Sequence, residues 1–256
     1  IASRDLATDL ERVTGSRPVI FNQLPTNAPA VLIGTLGHSA IIDSFVARGL
    51  LDAAALRGQW ESFLITTISN PAPGIARALV IVGSDRRGTA FGVYELSEAI
   101  GVSPWHWWAD VAPAPKANLY VAAGARRFGP PSVKYRGIFI NDEDWGLQPW
   151  AAKTFEPETG DIGPKTYAKV CELLLRLKAN YLWPAMHPCT KAFNHYPQNK
   201  RVADDYAIVM GSSHCEQMLR NNVTEYDEQR VGPWDYEKNR TNILAYWQQR
   251  LAENGK

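Results

Sequence analysis

The sequence predicts an α/β protein in two parts. Residues 1–128 read as an N-terminal α/β sandwich-like domain, and residues 129–256 as the first few units of a (β/α)8 TIM barrel. Three observations carry this. Short β-branched apolar runs alternate with amphipathic stretches along the whole chain. Pro113, Pro115, Pro130 and Pro131 punctuate its middle. After them the order is strand, helix, strand, loop, strand, helix, and each strand runs into polar residues at its C-terminal end, where parallel α/β folds carry out chemistry.

Composition narrows the function classes. Hydrophobic residues make up 45% and charged residues 21%, as in a globular chain. A formal net charge of +1 gives no reason to expect nucleic acid or an anionic membrane as partner. No apolar run is long enough to span a bilayer. Cys171, Cys189 and Cys215 have no metal-like spacing. Asn222-Val223-Thr224 and Asn239-Arg240-Thr241 are glycosylation sequons, meaningful only in a eukaryotic secretory host. Nine tryptophans and ten tyrosines are a heavy aromatic load, suited to cores and to stacking on sugar faces.

In the first half, Leu6, Leu10 and Val13 have helical spacing and Gly15 is a plausible stop. Strands are expected at Pro18–Phe21, Ala30–Gly34, Phe63–Ile68 and Ala78–Gly83, and helices at Ser39–Arg48 and Thr89–Ile100. Gly83-Ser84-Asp85-Arg86-Arg87-Gly88 joins a strand to a helix, but it lacks Walker spacing and a dinucleotide fingerprint. It reads as a tight turn with a surface arginine pair. Pro104 to Asp110 is a dense aromatic patch expected at a domain junction, and Leu119–Ala122 is a candidate edge strand.

The second half turns on Tyr135–Ile140, an apolar strand that runs into Asn141, Asp142, Glu143 and Asp144. Like charges at a strand's end repel unless something uses them, so Asp142 and Glu143 are candidate substrate-binding or water-orienting residues. They are neighbours on the chain, which makes them a doubtful acid–base pair. Gly146–Ile162 reads as a long irregular loop. A helix begins at Gly163-Pro164, with Tyr167, Val170, Leu173, Leu174 and Leu177 as its apolar side and Cys171 as an inert buried thiol. The strand at Asn180–Trp183 delivers Trp183 and His187 to its exit. The strand Tyr206–Met210 delivers Ser212, Ser213, His214 and Glu216. His214 and Glu216 suit a sugar hydroxyl or carboxylate better than a metal, because further ligands are too few. Asp235–Leu251 is expected as a closing helix with Ile243, Leu244, Tyr246 and Trp247 inward.

Several ordered blocks resemble glycoside hydrolase family 115. They are Arg136 to Glu143, Asn180 to Met186 and Met210 to Met218, with Leu32 to Thr35, Arg57 to Phe63, Ala78 to Thr89 and Gly101 to Val111 in the first half. Cys215-Glu216-Gln217 departs from the family's usual His, Glu, Pro. The resemblance implies a xylan α-1,2-glucuronidase that removes glucuronic acid or its 4-O-methyl ether with inversion and without a cofactor. It implies that Asp142, Trp183 and His214 line the uronic-acid pocket; Glu143 and Glu216 are candidate substrate-binding residues from their own place at the strand exits. The catalytic carboxylates would lie on later barrel strands, beyond Lys256, so the 256-residue piece alone would be inactive. Expected partners are glucuronoxylan or aldouronic acids, the remainder of the barrel polypeptide, and a second copy in a homodimer of the full-length enzyme. The expected location is secreted or periplasmic. Other readings are a β-N-acetylhexosaminidase, which also uses an adjacent Asp-Glu, a non-catalytic carbohydrate-binding protein, and a structural scaffold.

Overall fold

A computed structural model of the chain describes residues 1–24, 29–141, 143–213 and 217–255. Asp142, His214, Cys215 and Glu216 lie outside the described residues. The chain divides into two compact units, Ile1–Lys134 with Leu175–Lys178, and Tyr135–Leu174 with Ala179–Lys256. Mixed α/β structure fills both.

The first unit opens with α1 (Ala2–Thr14), which buries Leu6, Ala7 and Val13 and ends at Gly15 in the left-handed region, φ 76°. Its sheet has the order β1-β3-β2-β4, from β1 (Ala30–Thr35), β2 (Phe63–Ala72), β3 (Ile75–Gly83) and β4 (Ala125–Phe128). β1 runs parallel to β3, and the other pairs are antiparallel. α2 (Ala40–Ala47) starts at its Ser39 cap and sets Ile42 and Phe45 into a core with Leu32, Leu64, Val80 and Val82. α3 (Arg86–Ala99) packs on β3, where Gly92 permits the approach: a Cβ there would stand 2.6 Å from the Ile81 side chain.

The turn before α3 is closed to an anion from within. Asp85 accepts the Gly88 N–H at 2.7 Å through one carboxylate oxygen and the Glu61 N–H at 2.8 Å through the other. The helix N-terminus therefore already carries its negative charge. Arg87 pairs through Nε with the buried Glu61 at 2.5 Å, so one member of the expected surface arginine pair is tied down.

Two strand expectations fail here. Pro18–Phe21 is not a strand: Val19 and Phe21 are exposed, and Pro18 has no N–H for a ladder. Leu119–Ala122 is irregular, and the edge strand is β4, whose exposed Arg126 and Arg127 had hidden it. Charged side chains are a usual feature of sheet edges.

The second unit has a parallel sheet in the order β5-β6-β7, from β5 (Gly137–Phe139), β6 (Tyr181–Trp183) and β7 (Val209–Met210). Gly137 is required where β5 meets β6, since any Cβ would collide with the Tyr181 carbonyl. Asn180 fixes the start of this pairing by accepting the Arg136 N–H on Oδ1 at 2.9 Å. The expected loop Gly146–Ile162 is largely helical instead. Wide π-turns at Glu143–Leu147 and Ala151–Phe155 flank a single turn, α4 (Gln148–Trp150).

The helix α5 (Pro164–Arg176) buries Tyr167, Val170, Cys171, Leu173 and Leu174. Leu177 falls outside it and is exposed, contrary to the expected apolar side. The Glu156 carboxylate sits over the first turn of α5, accepting the N–H groups of Lys165 and Thr166 at 3.1 and 3.0 Å. Between β6 and β7 lies α6 (Pro197–Asp205), a helix the sequence reading left out because its residues are almost all polar. Two short turns, α7 (Asn222–Glu225) and α8 (Glu228–Val231), precede α9 (Tyr236–Asn254). Of its expected inward residues only Ile243 is fully buried, while Arg250 is buried as well. The expected third strand at Tyr206–Met210 shrinks to β7.

Candidate active site

The strand ends of the second unit are tied to one another. Glu143 follows β5 and is fully buried. Its Oε1 accepts the backbone N–H of His187 at 2.5 Å and also that of Met186, both in the segment leaving β6. Asp144 stands 3.3 Å from His187 Nδ1. Beyond β7, Ser213 Oγ donates to Met186 Sδ at 2.8 Å. Side chains or backbone from all three exits therefore meet around Met186 and His187.

The same segment is held from other sides. The His187 carbonyl accepts the Thr190 N–H and hydroxyl, each at 3.0 Å, and the Asn221 amide at 3.3 Å. Asn221 is itself buried and also donates to the Thr190 carbonyl at 3.1 Å. Upstream, the Ala185 N–H meets the buried Tyr167 hydroxyl at 3.3 Å. Burial pushes the Tyr167 phenol well above its ordinary range, so it stays protonated. Asp161 accepts the Lys191 N–H at 2.9 Å and the Tyr196 hydroxyl at 3.3 Å. Desolvation and that nearby carboxylate raise Tyr196 to about 12.

Trp183 ends β6. Its ring meets Phe139 of β5 edge-on, with centroids 5.5 Å apart. Gly211, just after β7, lies against the indole, where a Cβ would come within 2.5 Å of Nε1. That indole N–H is buried and has no partner among the described residues, and the same is true of Glu143 Oε2. A buried polar atom left unpaired costs about 1–3 kcal/mol, so two of them at neighbouring strand ends point to hydrogen-bonding groups that arrive from outside the described residues.

Of the five residues the sequence singles out, the structure thus describes Glu143, which follows β5, and Trp183, which ends the adjacent β6. Asp142, His214 and Glu216 lie outside the described residues. Sequence reasoning brought Asp144 and His187 to the strand ends but passed over Asn221, whose only visible signal was its place before a sequon. Among the described residues no group of three or more His, Cys, Asp or Glu is placed to hold a metal ion. Nor is any described helix long and apolar enough to cross a membrane. A separate cavity of about 710 Å³, lined by Phe193, Lys200, Arg201, Ile208, Met210 and Leu219, includes none of the candidate residues.

Comparison with known proteins gives this geometry a family. A solved structure described as "A novel family GH115 4-O-Methyl-alpha-glucuronidase, BtGH115A, with specificity for decorated arabinogalactans" is 40% identical and superposes with a TM-score of 0.85. The alignment covers 98% of this chain and 32% of that one, so the chain spans about a third of the length of that relative. A second, described as "Structure of CpGH84D", aligns over 99% of this chain and 37% of that one at 11% identity and a TM-score of 0.47, a likeness too weak to carry a statement. Comparison with curated proteins gives no match. The model of the family described as "Glycosyl hydrolase family 115" matches residues 128–256, half of the chain and the whole of the unit that holds the strand ends, and the chain belongs to that family.

Proposed function

We propose that this chain is part of an α-glucuronidase that hydrolyses α-1,2-linked glucuronic acid, or its 4-O-methyl ether, from a plant polysaccharide. The observation that carries this is the 40% identity, over 98% of the chain, to a protein described as a 4-O-methyl-α-glucuronidase. In this reading the second unit contributes the first strands of a (β/α)8 barrel, beginning near residue 129, and their exits build one side of the sugar pocket. Trp183 packs against the sugar ring. Glu143 offers its unpaired Oε2 to a hydroxyl or a positioned water, and Asp142, His214 and Glu216 contribute further hydrogen bonds. The mechanism is inverting, with two carboxyl groups about 6.5–9.5 Å apart, one protonating the leaving oxygen and the other activating water. Its essential acids stand on later parts of the family's polypeptide, so the 256 residues alone do not turn over substrate. That fits a chain spanning 32% of its relative. The location is secreted or periplasmic, where the polymer is, and the partners are the rest of the barrel and a second copy of the full-length enzyme.

Xylan is the substrate that the sequence resemblance implies. The relative is described as specific for decorated arabinogalactans, which favours that second polymer class. Incubation of the full-length enzyme with aldouronic acids and, in parallel, with glucuronidated arabinogalactan tests both. Release of free uronic acid, seen first as the inverted anomer by proton NMR, is expected from one or both. Release from neither overturns the reading, and activity on N-acetylglucosaminides alone would replace it.

A further inference from the structure

We propose that His187 is a specificity-determining residue of this pocket, its Nε2 reading the carboxylate of the uronic acid. The inference rests on the glucuronidase reading and names a residue of the same site. His187 is held more completely than a surface residue needs. Its N–H is bound by the buried Glu143 at 2.5 Å, and its carbonyl by Thr190 at 3.0 Å and Asn221 at 3.3 Å. Asp144 takes Nδ1 at 3.3 Å. Two carboxylates and a buried amide thus fix one partly exposed imidazole at the backbone and at one ring nitrogen. Nothing among the described residues bonds Nε2, and the side chain keeps 33% of its surface. Preorganisation of this kind is what a binding group requires, because a fixed ring loses little freedom when the ligand arrives.

Charge supplies the second argument. A uronic acid differs from its neutral sugar by one carboxylate, which needs a cationic or N–H donor. The described residues of the three exits, Ile140 to Leu147 without 142, Pro184 to Cys189 and Gly211 to Ser213, contain the acids Glu143 and Asp144. The only side chain among them able to carry positive charge is His187. With Nδ1–H donating to Asp144 and Nε2–H donating to the sugar, the ring bridges a protein carboxylate and a substrate carboxylate.

The test is a calorimetric titration of the full-length enzyme, which carries the complete pocket, with methyl α-D-glucuronoside and methyl α-D-glucoside. The wild type is expected to favour the glucuronoside. His187→Asn, whose amide reaches only the Nδ1 position, should reduce that preference roughly tenfold, the scale of one charge-assisted hydrogen bond. His187→Gln, which can place an N–H near Nε2, should recover part of it. Asp144→Ala removes a half-exposed side chain, so the fold is expected to survive, and it should lower the preference severalfold by freeing the ring. An unchanged ratio in folded His187→Asn or Asp144→Ala overturns the role of His187 and leaves the glucuronidase reading standing. Equal binding, or none, of both sugars by the wild type overturns both.

Discussion

Glu143 and His187, 44 residues apart, are joined by a hydrogen bond of 2.5 Å from the His187 N–H to a fully buried carboxylate oxygen. Met186 donates to the same oxygen, so one side chain after β5 sets the path of the chain leaving β6. Replacing Glu143 by Ala strands two backbone donors, at least partly buried, and should cost about 2–4 kcal/mol. Glu143→Gln keeps an acceptor oxygen and should cost about 1 kcal/mol. Urea denaturation of the two variants measures the difference, and equal losses would show that the acceptor is not what matters.

Gly211 keeps Trp183 in place. A Cβ at this position would come within 2.5 Å of the indole nitrogen and would also collide with the Tyr181 hydroxyl. In Gly211→Ala the ring must move. The expected result is a change in tryptophan fluorescence and at least a severalfold loss of uronoside affinity, larger in proportion than the loss of stability. Unchanged affinity would remove Trp183 from the sugar site.

In the first unit, Asp85 gives one oxygen to the N-terminus of α3 and the other to the Glu61 N–H. Asp85→Ala should lower stability by about 1–2 kcal/mol, the usual range for a lost cap. Added phosphate should not raise the wild-type melting temperature, because the carboxylate already occupies the anion position. A phosphate-dependent rise of several degrees would reopen the anion-site reading of this turn.

The cysteines should separate by reactivity. Cys171 is buried, and desolvation raises its thiol to about 12, whereas Cys189 is exposed. Iodoacetamide at pH 8 should label Cys189 in the native chain and reach Cys171 only after unfolding. The sign of the pH effect follows from the raised value. The unfolded thiol loses its proton near 9 and the folded one near 12, so the Cys171 contribution to stability is complete below about 9 and declines through that interval. Stability of Cys171→Ala should fall less steeply over the same range.

Much of the fold was legible because it is local. Leu6, Leu10 and Val13 marked α1, Gly15 its stop, and the β-branched runs at Ala30, Phe63 and Ala78 marked the core strands of the first sheet. The misreadings share a cause: pairing and packing decide where pattern does not. Pro18–Phe21 has a strand's composition without a strand's ladder, and β4 has a ladder despite its arginines. Gly146 and Pro149 suggested a loop, yet a wide π-turn accommodates Gly146, and Pro149 sits at the start of α4, where its missing N–H costs nothing. The polar face of α6 concealed a helix that opens with a proline. At the site, the run of acids and Trp183 stood out at strand exits. The hold of Glu143 on His187 did not, since it exists only once β5 and β6 lie side by side.

The most direct measurement is a crystal structure of the full-length enzyme with 4-O-methylglucuronic acid bound. The expected electron density places the sugar against Trp183, with its carboxylate within hydrogen-bond distance of His187 Nε2. A sugar bound elsewhere, for example in the cavity beside Lys200 and Arg201 with the exits of β5, β6 and β7 empty, would contradict the assignment of the pocket.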